Sequence, residues 1–411
     1  MRRALVDRTL GNGLRLLALR HGGTPLAEAR LHLPSPCPTR RDLAEAMLLA
    51  ACLPEGHGRD DGVTEVTATA DVHQTTVAAG SPLADLRALM PALAEMVRDV
   101  PTEPGPARGR LIARLRLTRT HPDVTVRSDL ARHLFGDHPA AFHLPEEKEL
   151  AAIGRVRRPP FDPRGALLVI LADEDPGRMA DAAEQALAGW RPPAAGASPL
   201  PPLPRIEGGR LVALPRPGAP QSRIRLRAPA VTAGHERYPA LFLACNALGG
   251  YLSSRLSRSL REDKGYVYGV TTFFDTRPGS GLLAIEADTA AATTGAALEV
   301  LTAELHRMRT HPPTEQEIDA ARAYALGSMA TRLAPRAAFA SALADLAAKA
   351  VDPLLLLDFP RRLAAVTREA VIAAADEFLA VERFSGVVAA DPGALGGYGG
   401  GFELASAGFS S

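Results

Sequence analysis

The sequence predicts an α+β protein built from two homologous domains, each a sheet with helices packed on one face. Three observations predict it. The chain is 411 residues long, too long for one ordinary domain. One order of strands and helices occurs twice, and a proline-rich spacer separates the two runs.

In the first half a turn at Gly11-Asn12-Gly13 opens a strand over residues 14–19, and a second strand follows at 29–33. A helix is expected from about 41 to 53. After a glycine-bounded loop at 56–62, in which His57 reads as a solvated residue, strands at 63–70 and 75–79 lead to a helix at 83–100. The second half repeats this order. Strands at 210–214 and 221–228 precede a helix at 238–248 and a short arginine-bearing helix at 253–263; strands at 266–274 and 281–287 then lead to a helix at 293–310. Even the punctuation recurs, as Pro101-Thr102-Glu103 and Pro313-Thr314-Glu315. The stretch WRPPAAGASPLPPLPRIEGGR has no packing pattern, which sets an N-terminal domain at 1–190, a linker at 191–208 and a C-terminal domain at 209–395. Residues 396–411, containing GGYGGG, read as a flexible tail.

Composition narrows the function. Apolar residues make up 46% of the chain, ample for two cores, and 47 basic side chains nearly balance 46 acidic ones. That balance points to neither a nucleic-acid nor an anionic-membrane partner. Cys37, Cys52 and Cys245 are odd in number and form no CxxC pair, so they are expected as buried thiols and not as a disulfide framework or zinc site. The basic start lacks the apolar core of a secretory signal and no run reaches membrane-spanning length. A soluble, cytoplasmic protein is expected.

The stretch most telling about chemistry is LGGYLSSRLSRSLREDKGYVYGVTTFFDT, residues 248–276. Gly249 and Gly250 end one helix, Arg255, Arg258 and Arg261 follow on the next, and Gly265 closes it before the alternating strand. Arg261 and Tyr268 are thereby two donors brought to one place by a helix-Gly-strand turn, suited to a peptide carbonyl or the oxyanion it becomes. On the residues alone the more ordinary reading is an amphipathic arginine helix with a strand tyrosine capping the core.

With its Gly-Gly, Ser-Ser-Arg-Leu, Lys-Gly and Tyr spacing, this block resembles the insulinase and pitrilysin-like metallopeptidases, especially the two-domain subunits related to mitochondrial processing peptidase. LGNGLRLL near the start and the two-fold repeat extend the resemblance over nearly the whole chain. It implies mainly antiparallel sheets and half of a clam-shell-like peptidase chamber. Active members carry H-x-x-E-H on the first long helix, two histidines for zinc and a glutamate base, with a downstream glutamate as third ligand. Here Glu45 takes the first histidine position, Leu48 the glutamate and Leu49 the second histidine, while Arg114 stands where the third ligand would be. Leucine has no lone pair and a guanidinium does not ligate zinc.

Other histidines do not restore a metal site. His121, His133, His138 and His143 lie close in sequence with Glu146 and Glu147 nearby, but no pair has the one-turn spacing of a good chelate. His235-Glu236 begins like a zinc motif, yet Pro239 replaces its second histidine. The resemblance therefore implies the non-catalytic subunit of a bacterial heterodimeric zinc metallopeptidase, without a cofactor of its own. Zinc is expected in a homologous H-x-x-E-H partner, and Arg261 and Tyr268 are expected to grip the peptide substrate in that partner's active site. A peptide-binding or escort protein, or a structural scaffold subunit of the same fold, are the alternatives.

Overall fold

A computed structural model describes residues 5–55, 65–100, 102–157, 161–194, 196, 198–396 and 398–406. His57 with its loop and the end of the expected tail lie outside the described residues. The first half runs β1 (Leu5–Thr9), β2 (Arg15–Arg20), β3 (Leu26–Pro34), α1 (Arg40–Cys52), β4 (Glu65–Ala70), β5 (Gln74–Pro82), α2 (Leu86–Arg98), α3 (Ala107–Arg119), α4 (Pro122–Phe135), α5 (Glu147–Ala151), β6 (Leu167–Ala172) and α6 (Pro176–Leu187). The second runs β7 (Arg210–Pro215), β8 (Gln221–Ala230), α7 (Tyr238–Cys245), β9 (Val267–Arg277), β10 (Ser280–Ala290), α8 (Thr294–Thr310), α9 (Glu315–Arg332), α10 (Arg336–Ala348), α11 (Leu355–Ala364), α12 (Arg368–Phe378), β11 (Ser385–Ala390) and β12 (Glu403–Ser406).

Local chemistry sets these boundaries. Thr39 starts α1 with a reciprocal capping box: its hydroxyl accepts from Asp42 N at 3.1 Å, and the Asp42 carboxylate accepts from Thr39 N at 3.0 Å. Thr314 and Glu317 do the same at the start of α9, with Thr314 N donating to Glu317 at 2.8 Å.

Each unit holds a six-stranded mixed sheet, and the two sheets have equivalent strand orders, β1-β2-β6-β3-β5-β4 and β12-β7-β11-β8-β10-β9. In the first, β2 and β6 are parallel and every other pair is antiparallel. In the second, β7 is parallel to both neighbours and the remaining pairs are antiparallel. The mainly antiparallel α+β class is as expected. On one face of the second sheet Ile224, Leu226, Leu283, Ile285 and Val388 pack with α7, α8 and α12 residues such as Leu241, Leu301 and Phe378. Leu31, Leu168 and Ile170 pack with Leu48, Leu49 and Met90 in the same way in the first.

The two compact units are not contiguous in sequence. One takes the chain to Thr120, then Phe142–Pro202 and Arg332–Pro353; the other takes His121–Ala141, Leu203–Thr331 and the chain from Leu354 on. The expected boundaries at 190 and 209 miss this exchange, because a sheet has two faces and the repeat supplies helices for only one. In the second unit α4 supplies the other cover, burying Val126, Leu130 and Leu134 against Val212, Leu214, Val387 and Ala389. In the first, α10 packs on β3 and β6. The expected linker is also partly structural, since Ile206 joins the cluster under α4. So is the expected tail: β12 pairs in parallel with β7, satisfying an edge that glycine content did not reveal. Among the described residues no helix is long and apolar enough to cross a membrane.

Candidate functional site

The arginine-tyrosine block folds as a wide helical segment, a glycine turn and the edge strand β9. Gly249 has no room for a side chain, because a Cβ there would stand 2.6 Å from Thr272 Cγ2 of β9. Thr272 returns the contact, its hydroxyl donating to Cys245 O at 2.7 Å. Ser257–Asp263 then winds with the wide i to i+5 spacing that recurs at functional sites. Gly265 closes it at φ 65°, a left-handed turn that lets Tyr266 N donate to Leu260 O at 2.8 Å.

This turn brings the two expected residues together. The Arg261 guanidinium carbon lies 6.0 Å from the centre of the Tyr268 ring, at the outer range of a cation-π contact. Tyr268 is 93% exposed, which sets aside the reading of a tyrosine capping the core.

The three arginines, equivalent in sequence, are separated by their partners. Arg255 makes a bidentate pair with Glu317, at 2.7 and 2.8 Å, and donates to His311 O at 2.8 Å. Those donors hold the Glu317 carboxyl down at about 2. Arg258 reaches Ser253 O at 3.4 Å. Arg261 has no hydrogen bond or ion pair among the described residues, so its five donors remain available to a ligand. Sequence reasoning missed Glu317, although its T-x-x-E spacing from Thr314 is a helix-start signature.

The positions matching the zinc motif do not fit zinc. Glu45 is buried, with one oxygen accepting from Arg41 at 3.1 Å and the other from Arg157 N at 3.2 Å. Leu48 and Leu49 are core residues, and Arg114 is exposed on α3. Among the described residues no group of three or more His, Cys, Asp or Glu side chains is placed to hold a metal ion. The other histidines have local roles: His133 Nε2 meets Ser385 Oγ at 2.8 Å, His138 Nδ1 accepts from Ala140 N at 3.0 Å, and His235 Nδ1 accepts from Arg237 N at 3.1 Å.

Residues 161–324 match the family model described as Peptidase M16 inactive domain, a match that begins before the proline-rich spacer and includes Arg261 and Tyr268. A stretch of 96 residues is 33% identical to the uncharacterized zinc protease YmxG of Bacillus subtilis strain 168; it covers 23% of this chain and 24% of that protein, so the similarity spans about a quarter of the relative. In fold, the chain is similar to a peptidase M16 inactive domain from Pseudomonas fluorescens, with a TM-score of 0.77, 19% identity and coverage of 94% and 98% of the two chains. It is similar also to the periplasmic protease PqqL of Escherichia coli, at a TM-score of 0.77 and 13% identity, over 94% of this chain and 45% of that one.

Proposed function

From the match of residues 161–324 to the peptidase M16 inactive domain family model, we propose that this chain is the non-catalytic subunit of a heterodimeric zinc peptidase. It binds and orients a peptide for a homologous partner that carries H-x-x-E-H. The partner's zinc supplies the activated water. Arg261 and Tyr268 donate to the substrate carbonyl, and their hydrogen bonds strengthen as negative charge develops on its oxygen.

The observation that carries this reading is the unpartnered Arg261 guanidinium beside an exposed Tyr268, on a segment whose neighbouring arginine is fully engaged. The zinc positions agree, since Leu48 and Leu49 are absorbed into the core.

The test is to purify the chain with its H-x-x-E-H partner and to follow peptide hydrolysis. Arg261→Ala should lower kcat about a hundredfold, the cost of one oxyanion donor, while the heterodimer stays intact by size-exclusion chromatography. Tyr268→Phe, which removes one neutral donor, should cost roughly fivefold to tenfold. Unchanged turnover, or dissociation without a catalytic defect, would remove the assignment. Peptide affinity in the isolated chain without any such partner would favour an escort protein, and stable assembly with no peptide effect a scaffold.

A further inference from the structure

With no polar partner of its own, Arg261 stands wherever the segment Ser257–Asp263 puts it. Leu256 and Leu260 root that segment in the core, and Ser257 Oγ donates to Tyr251 O at 3.1 Å, within the same stretch of chain. Its one side-chain hydrogen bond to a distant element, among the described residues, runs from Ser259 Oγ to Glu304 Oε1 on α8, at 2.6 Å.

Glu304 is an unusual residue for its place. It is 3% exposed on a helix whose Leu301, Leu305 and Met308 are core, so its position is fixed. Arg307 donates to the same Oε1 at 2.8 Å, and the buried Oε2 has no hydrogen-bond partner among the described residues. A half-satisfied buried carboxylate costs free energy that leucine at the same site would not. A wide i to i+5 turn is rare and occurs mostly as a single turn, so its pitch is not one a helix adopts by default.

We propose that Glu304 is a positioning residue. Acting through Ser259, it sets the pitch of Ser257–Asp263 and so the place of the Arg261 guanidinium against Tyr268. The use of that placement in peptide cleavage rests on the function proposed above. The positioning itself does not, and the two are tested separately.

The full chain is labelled with 3-fluorotyrosine, and the Tyr268 line among its six tyrosines is assigned by its loss in Tyr268→Phe. Arg261→Ala gives the shift expected when the guanidinium leaves the ring. Ser259→Ala and Glu304→Leu should each shift the Tyr268 line in the same direction, whereas Ser259→Thr, which keeps the hydroxyl, should leave it in place. The thermal midpoint of Glu304→Leu should be held or raised, because a buried carboxylate has been replaced by an apolar group. A residue that only stabilises the fold would give the opposite pair, a lower midpoint and an unmoved line, and that result overturns the proposal. If Glu304→Leu does not fold, Ser259→Ala decides alone, since it removes only one hydroxyl. In the assembled pair, Ser259→Ala should lower kcat about fivefold to tenfold with KM little changed. A moved line with unchanged turnover in both Ser259→Ala and Arg261→Ala upholds the positioning and removes the proposed use of Arg261.

Discussion

His32 on β3 is 5% exposed, and its Nδ1 has no hydrogen-bond partner among the described residues. Burial pushes its pKa down to about 4, against the opposing pull of Asp71 and Asp345. Below its ordinary value of 6.5 the unfolded chain takes up a proton that the folded chain refuses, so stability falls as pH drops from 6.5 to about 4. The loss approaches roughly 3 kcal/mol at the acid end. His32→Leu should flatten the pH dependence of the thermal midpoint in that window; an unchanged slope would show that other groups govern it. Glu317, held at about 2 by Arg255, adds a separate loss only below the ordinary carboxylate range. At this scale the sequence was legible where contacts are local. The Gly249 to Tyr268 block could be read because turn, helix and alternation lie within one short stretch. The different fates of Arg255 and Arg261 could not be, because Glu317 lies 62 residues beyond Arg255.

Among the elements, α4 lies over a layer of charge as well as an apolar patch. Arg225 reaches Asp123 at 2.6 Å and Asp288 at 2.7 Å, Arg227 reaches Glu286 at 2.7 Å, and Arg127 joins Glu286 at 3.0 Å. Glu286 is the shared acceptor between two strands and the helix. Its removal leaves Arg225 and Arg227 buried with fewer partners, so Glu286→Ala should cost about 3–5 kcal/mol. The loss should appear as a lower thermal midpoint and faster hydrogen exchange along β8 and β10; a change confined to α4 would mean that the strands do not depend on this layer. The strands β4, β5, β8 and β9 were legible from alternation, in β8 because arginines alternate with apolar residues even though both of its faces are buried. The central strands β6 and β11 were not, because all six residues of each are buried, which leaves LLVILA and SGVVAA without a period of two.

Across the whole molecule the exchanged helices decide how the chain can be divided. A cut at the proline-rich spacer, the natural boundary from sequence, leaves residues 1–208 with α4 but without α10. Residues 209–411 then keep α10 without the sheet it covers. The first fragment loses the cover of β3 and β6, where Phe339, Ala340 and Leu343 are buried and Arg30 Nε donates to Ser341 Oγ at 3.0 Å. Each large apolar side chain withheld from burial costs about 1.5–3 kcal/mol, and the second fragment loses Val126, Leu130, Leu134 and Phe135 likewise. That is about 6–12 kcal/mol for the second fragment and about 3–6 kcal/mol for the first, a large part of the roughly 5–15 kcal/mol that holds an ordinary domain folded. Each fragment alone should therefore aggregate or show no cooperative melt, while co-expression should recover a soluble complex that unfolds in a defined transition by calorimetry. If either fragment melts cooperatively near the temperature of the intact chain, its sheet is closed without the exchanged helix, and the contiguous division at 190 and 209 is the better account of folding.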